Sequence, residues 1–134
     1  MTTPDTVSAN RAGQIAEHIV SITLIRQGYN VAVPEIPCHY DQIVDIDGEL
    51  TRVQVKKGFD DSRENTIRAN LMGSIHKGGT EYESVKYSKE DIDAFAIYDP
   101  AIDDVYWFWF DEAPSTELRR KRNTLKSHIL TNKL

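Results

Sequence analysis

A chain of 134 residues is long enough for one domain with its own core and too short for two. With 40% hydrophobic and 28% charged residues it is neither collagen-like, low-complexity nor disordered, and its single Cys38 excludes an internal disulfide and a thiolate zinc cluster. The net charge of −5 argues against a nucleic-acid binder only on average: residues 113–134 hold six basic side chains against Glu117 alone, +5 in all, which leaves −10 on the 112 residues before them.

Met1–Asn10 lacks the basic and apolar regions of a signal peptide, and no run approaches the roughly 20 apolar residues of a membrane span. The expectation is therefore an intracellular protein of the cytoplasm or nucleoid, with no membrane association. From Ala9 to Gln27, apolar residues at Ala12, Ile15, Ala16, Ile19 and Ile22 follow the spacing of an amphipathic helix, with Gly28 as its stop. Val31 and Val33 predict a short strand that Pro34 and Pro37 confine to a sheet edge. Tyr40–Glu49 alternates, with Gln42, Val44 and Ile46 on one face and Asp41, Ile43 and Asp45 on the other. Asp47-Gly48 then turns the chain into a second strand, Leu50–Lys57, whose Val53 and Val55 oppose Arg52, Gln54 and Lys56. A third strand is expected over Thr66–Met72, a loop over Gly73–Lys86, and a capped turn at Ser88–Asp91. Strands follow at Ile92–Tyr98 and Val105–Phe110, and then a helix capped by Ser115. Residues 1–134 read as one domain with a basic C-terminal segment, 113–134.

Four polar residues can meet in this arrangement: Glu17 on the first helix, Asp41 at the start of a strand, and Gln54 and Lys56 on its partner. A pleated strand points residues two apart the same way, and the hairpin lays Asp41 alongside them. Two carboxylates, an amide oxygen and backbone carbonyls make a hard, all-oxygen donor set suited to Mg²⁺, with Mn²⁺ as an alternative. Such a site can activate water and neutralise charge on a phosphate under hydrolysis, with the Lys56 ammonium at hand. Each residue taken alone also reads as an ordinary solvated helix residue, turn acceptor or polar strand face. Asp45 competes with Asp41, since both point to the same side of the strand.

Gly13-Gln14-Ile15-Ala16-Glu17, then Asp41, then Gln54-Val55-Lys56 resemble the PD-(D/E)XK nuclease superfamily, in its Gln-x-Lys subgroup. The likeness covers roughly Arg11 to Glu112 and includes Tyr87-Ser88-Lys89-Glu90-Asp91-Ile92-Asp93 ahead of the apolar strands. In size and order the chain is similar to a small intron-encoded homing endonuclease and to archaeal Holliday junction resolvases. The resemblance implies an α/β, restriction-endonuclease-like core with a mixed central β-sheet flanked by helices. It implies metal ligation by Glu17, Asp41, Gln54 and the Val55 carbonyl, and a Lys56 that positions the attacking water. Two departures stand out. Tyr40 precedes Asp41 where the family has its name-giving proline, and Gln54 replaces the usual acid and removes one negative charge.

The resulting expectation is a Mg²⁺-dependent DNA endonuclease, acting either on branched DNA or on a specific duplex. The alternative is an inert DNA-binding module of the same fold, and a third reading is an interaction protein with no nucleic-acid role. Lys57 and the run Arg119, Arg120, Lys121 and Arg122 are the candidate phosphate contacts. His76 is a candidate base or DNA contact, though a lone loop histidine is more often neither. Trp107 and Trp109 read as packing before base stacking. Aromatic residues on both faces of Val105–Phe110 predict a homodimer or homotetramer, with one face in the core and the other at a partner.

Overall fold

The computed structural model describes residues 4–134, with side chains from Ser8 onward. Helix α1, Pro4–Arg26, ends in a Schellman motif in which Gly28 N donates to Ile25 O and Tyr29 N to Leu24 O. Its core-facing stripe is Ala16, Val20 and Leu24, all buried, whereas Ile15 and Ile22 are 54% and 48% exposed. The expected inward face is thus rotated. The helix is apolar on more than one side, so its period alone does not choose a stripe. The choice is made by Gln42, whose Nε2 donates to Glu17 O at 2.8 Å and to Ser21 Oγ at 2.9 Å.

Strands β1 (Asn30–Ala32), β2 (Gln42–Ile46) and β3 (Glu49–Lys57) form an antiparallel run. A two-residue turn joins β2 to β3. Asp47 and Gly48 both have positive φ, 53° and 90°, as a twist-matched hairpin turn requires, and Gly adopts the second of these without steric cost. The crossover that follows β3 runs through β4 (Phe59–Asp60), β5 (Thr66–Asn70), β6 (Met72–Gly78) and β7 (Glu81–Lys86), with no long helix. It leads to β8 (Ala94–Asp99), which pairs in parallel with β3 and antiparallel with β9 (Asp104–Trp109), giving the order β1-β2-β3-β8-β9. The sheet is mixed and α1 covers one face, as expected for the fold class.

Strands cover the second face. β4 and β5 join β10 (Glu117–Lys121) in a three-stranded sheet ordered β10-β5-β4. Two expectations are corrected here. Gly73–Lys86 is the β6–β7 hairpin and not a loop, and the segment after Ser115 is strand β10 and not a helix. Leu118 is the one strongly apolar residue in β10 and signals neither period; its pairing with Ala69 decides the matter. After β10 the chain makes two short 3₁₀ turns and α2 (Leu130–Lys133).

Pleat alternation divides the core into two layers. Ala94, Ala96 and Trp107 meet α1 together with Val44, Val53 and Val55. Phe95, Ile97, Tyr106 and Phe108 meet Ile67, Ala69, Leu71 and Leu118 of the second sheet. β8 and β9 are buried on both faces, in keeping with their apolar runs Ala94–Tyr98 and Val105–Trp109; the acids Asp99 and Asp104 stand at the strand ends. The aromatic face of β9 expected at a partner surface is instead core, because the second sheet lies over it. No described helix is long and apolar enough to cross a membrane.

Candidate active site

The Asp47–Gly48 turn fixes the register Gln42↔Val53 and so sets Asp41 just beyond the end of the β2 ladder. There Asp41 N donates to Val53 O at 2.9 Å, and Asp41 Oδ2 accepts from Val55 N at 2.9 Å. The carboxylate is thus pinned to β3 by backbone groups. Gln42, the next residue, faces the opposite way and holds the Glu17 turn of α1, which brings the Glu17 carboxyl beside Asp41. Gln54 and Lys56 project from β3 on the Asp41 side. Gln54 Nε2 donates to Val55 O at 3.4 Å, and Lys56 Nζ donates to Met72 O at 2.8 Å. The structure therefore assembles Glu17, Asp41, Gln54, Val55 and Lys56 at one end of β3. Asp45 lies apart, its Oδ1 accepting from Gly48 N at 2.8 Å in the hairpin turn.

The electrostatics are those of charged groups drawn partly out of water. Burial, reinforced by the neighbouring Asp41 carboxylate, pushes Glu17 up to about 7. Burial also raises Asp41 above the usual range, against the Val55 amide, the Glu17 hydrogen bond and the Lys56 charge. Lys56 is lowered by burial, with Asp41 opposing the shift. Two carboxyls in contact with only one ammonium nearby form a site that a divalent cation would complete. The donor set passes the chemical test for Mg²⁺ or Mn²⁺: carboxylate, amide and carbonyl oxygens, with no thiolate or imidazole. Among the described residues no third acid, histidine or cysteine joins the pair to form a larger ligand cluster.

Sequence reasoning missed three participants. Tyr87 lies with its ring centroid 5.4 Å from Lys56 Nζ, and burial, followed by the charges of Asp41 and Asp91, pushes its hydroxyl up to about 12. The Met72 carbonyl and the Gln42 side chain act by position, through contacts that no sequence spacing announces. A cleft of about 280 Å³ bounded by Glu17, Tyr40, Asp41, Val33, Ile36 and Cys38 opens beside the carboxyls. A larger cavity of about 630 Å³, between Leu50, Ile92 and Trp109, lies toward the other end of β3 and contains none of these groups. Of the candidate residues, Glu17 and Asp41 line the smaller opening.

The basic run is split by the fold. Arg122 turns inward, its Nε donating to Asp99 Oδ2 at 2.7 Å and its Nη2 to Asp60 Oδ1 at 2.5 Å, and is not presented to solvent as a phosphate contact. Arg119 bridges Glu117 and Asp61, while Arg120 and Lys121 are exposed. Lys57 lies 4.2 Å from the centroid of the half-exposed Phe59 ring. His76 is on the β6–β7 hairpin, Cys38 donates to Tyr40 O, and Trp107 is buried in the core.

The profile of a family described as PD-(D/E)XK endonuclease matches residues 7–131. A search of curated proteins finds no match. Among solved structures, the fold is similar to that of a bacterial homing endonuclease, I-Ssp6803I. The TM-score is 0.72 at 21% identity, with 84% of this chain and 78% of that one covered.

Proposed function

This chain belongs to the PD-(D/E)XK endonuclease family, and on that footing we propose that residues 1–134 act as one divalent-cation-dependent nuclease domain hydrolysing phosphodiester bonds in DNA. One observation carries the reading: the Glu17–Asp41 carboxyl pair and Lys56 meet at the end of β3, where the Val55 amide holds the Asp41 carboxylate. Glu17, Asp41, the Gln54 amide oxygen and the Val55 carbonyl would hold Mg²⁺ or Mn²⁺. Once bound, the cation supplies charge to the scissile phosphate and acidity to the attacking water. Asp41 is oriented for this by Val55 N, and α1 delivers Glu17 through the Gln42 bridge. Lys56, held by Met72 O, presents its remaining donors toward the water and the developing negative charge.

Labelled linear duplex, single-stranded and four-way-junction DNA, each with Mg²⁺ and with EDTA, test the reading. Cleavage with Mg²⁺ and none with EDTA is the expected outcome. Binding without cleavage of any form would replace it with an inert DNA-binding module, the reading that the missing charge at Gln54 favours. Cutting both strands needs two sites, so a homodimer or homotetramer in the cytoplasm or nucleoid belongs to this reading, through a surface other than β9.

Phosphate contact falls to Lys57, Arg119, Arg120 and Lys121, with Arg122 reserved for the fold. An Arg119→Ala/Arg120→Ala/Lys121→Ala variant should bind DNA more weakly whatever the sequence. The slope of log affinity against log salt should drop by about 0.9 for each phosphate that is no longer neutralised. An unchanged slope in a salt titration would show that these side chains are only a solvated face.

A further inference from the structure

The β6–β7 hairpin stands apart from both larger sheets: its strands pair only with each other, and Ser74 to Ser84 are exposed. Isolated two-stranded ribbons are marginal in water, yet this one leaves Ile75 48% and Tyr82 68% exposed. Its root is fixed at the active site. Met72 O accepts from Lys56 Nζ, and Tyr87, the residue after β7, lies beneath the same ammonium.

The register pairs Met72 with Lys86, Ser74 with Ser84 and His76 with Tyr82. Alternation along the strands then places Ser74, His76, Tyr82, Ser84 and Lys86 on one face, which holds no carboxylate. Glu81 and Glu83 fall on the other, where Lys77 Nζ lies 2.8 Å from Glu83. On the acid-free face the His76 and Tyr82 rings are 4.9 Å apart. His76 Nε2 donates to Gly79 O at 2.7 Å, which leaves Nδ1 as an acceptor on the neutral ring.

We propose that this ribbon enters the major groove of duplex DNA with its acid-free face toward the base edges, so that the substrate is a duplex of defined sequence. The inference rests on the endonuclease reading above. Six or seven residues per strand span roughly 20 Å at about 3.3 Å per residue, and a two-stranded ribbon fits a groove about 12 Å wide. The charges are complementary in arrangement: both glutamates face away from the DNA, and the facing side offers hydroxyl and ammonium donors with an imidazole acceptor. Attachment at Met72 and Tyr87 ties groove reading to the position of Lys56.

The test is selection by the full chain from a duplex library with a randomised core, in EDTA, followed by sequencing. The wild type should enrich a motif. A Ser74→Ala/His76→Ala/Tyr82→Phe/Ser84→Ala variant, and separately His76→Ala/Tyr82→Ala, should lose enrichment by about tenfold or more at the positions read, with the melting temperature unchanged. Ile75→Thr/Glu81→Gln on the opposite face should keep the motif. A motif that survives in both acid-free-face variants, or a wild type that prefers four-way junctions and enriches no motif, would overturn the ribbon proposal and leave the endonuclease reading standing. A wild type that binds no DNA would overturn both.

Discussion

Asp41→Ala and Lys56→Ala should each lower single-turnover cleavage by about a hundredfold or more while leaving DNA affinity within a few-fold. Asp41 supplies half of the carboxyl pair, and Lys56 supplies the nearby ammonium, whose donors matter most as charge develops on the phosphate. Affinity depends more on basic side chains elsewhere. Asp41→Ala also removes the acceptor for Val55 N, and an unpaired buried amide costs about 1–3 kcal/mol. Asp41→Asn separates the two effects, since it keeps an acceptor and removes the charge; it should be stable and still inactive. Asp45→Ala should be mild, because Asp45 only caps the hairpin turn. Gln54→Glu should raise metal affinity by adding a hard anionic ligand, with cleavage across a Mg²⁺ titration as the readout. Full activity in both Asp41→Ala and Lys56→Ala would remove this site from consideration.

Asp99→Ala should be the most damaging single change to stability outside the hydrophobic layers, by about 3–5 kcal/mol. Asp99 is 1% exposed and accepts from Arg122 Nε at 2.7 Å and from the Tyr106 hydroxyl at 3.0 Å. Without it, an Arg122 side chain only 11% exposed keeps its charge and has no enclosed partner. At roughly 3–5 °C per kcal/mol for a chain of this size, the melting temperature should fall by about 10–25 °C. Asp60, the other partner of Arg122, has a 74% exposed side chain, so Asp60→Ala should cost about 1 kcal/mol or less. Equal melting temperatures for Asp99→Ala and the wild type would show that Arg122 finds compensation elsewhere. The same network explains why an alanine variant spanning all four residues from Arg119 to Arg122 would confound DNA binding with unfolding.

Local physics makes much of this protein legible from its residues. The helical period of Ala9–Gln27, the positive-φ turn at Asp47–Gly48 and the two-residue alternation of Leu50–Lys57 are properties of short segments. Together they place Asp41 near Gln54 and Lys56 with no knowledge of distant parts of the chain. Contacts between distant segments decide the rest. Which stripe of α1 faces the sheet depends on Gln42, a residue 25 positions beyond Glu17, and the choice between Asp41 and Asp45 depends on which of them meets Val55 N. Glu117–Lys121 is a strand because Thr66–Asn70 lies beside it, and Arg122 is a core cation because Asp99 waits at the end of β8. The Gly73–Lys86 segment reads as a loop because its glycines and polar residues lack a buried face to enforce alternation; its strands pair across the hairpin and carry no apolar layer. A charge run or an apolar strand shows what a segment can do. Which of those capacities is used depends on the partner that tertiary packing sets against it, since burial, ion pairing and backbone pairing are properties of two surfaces together.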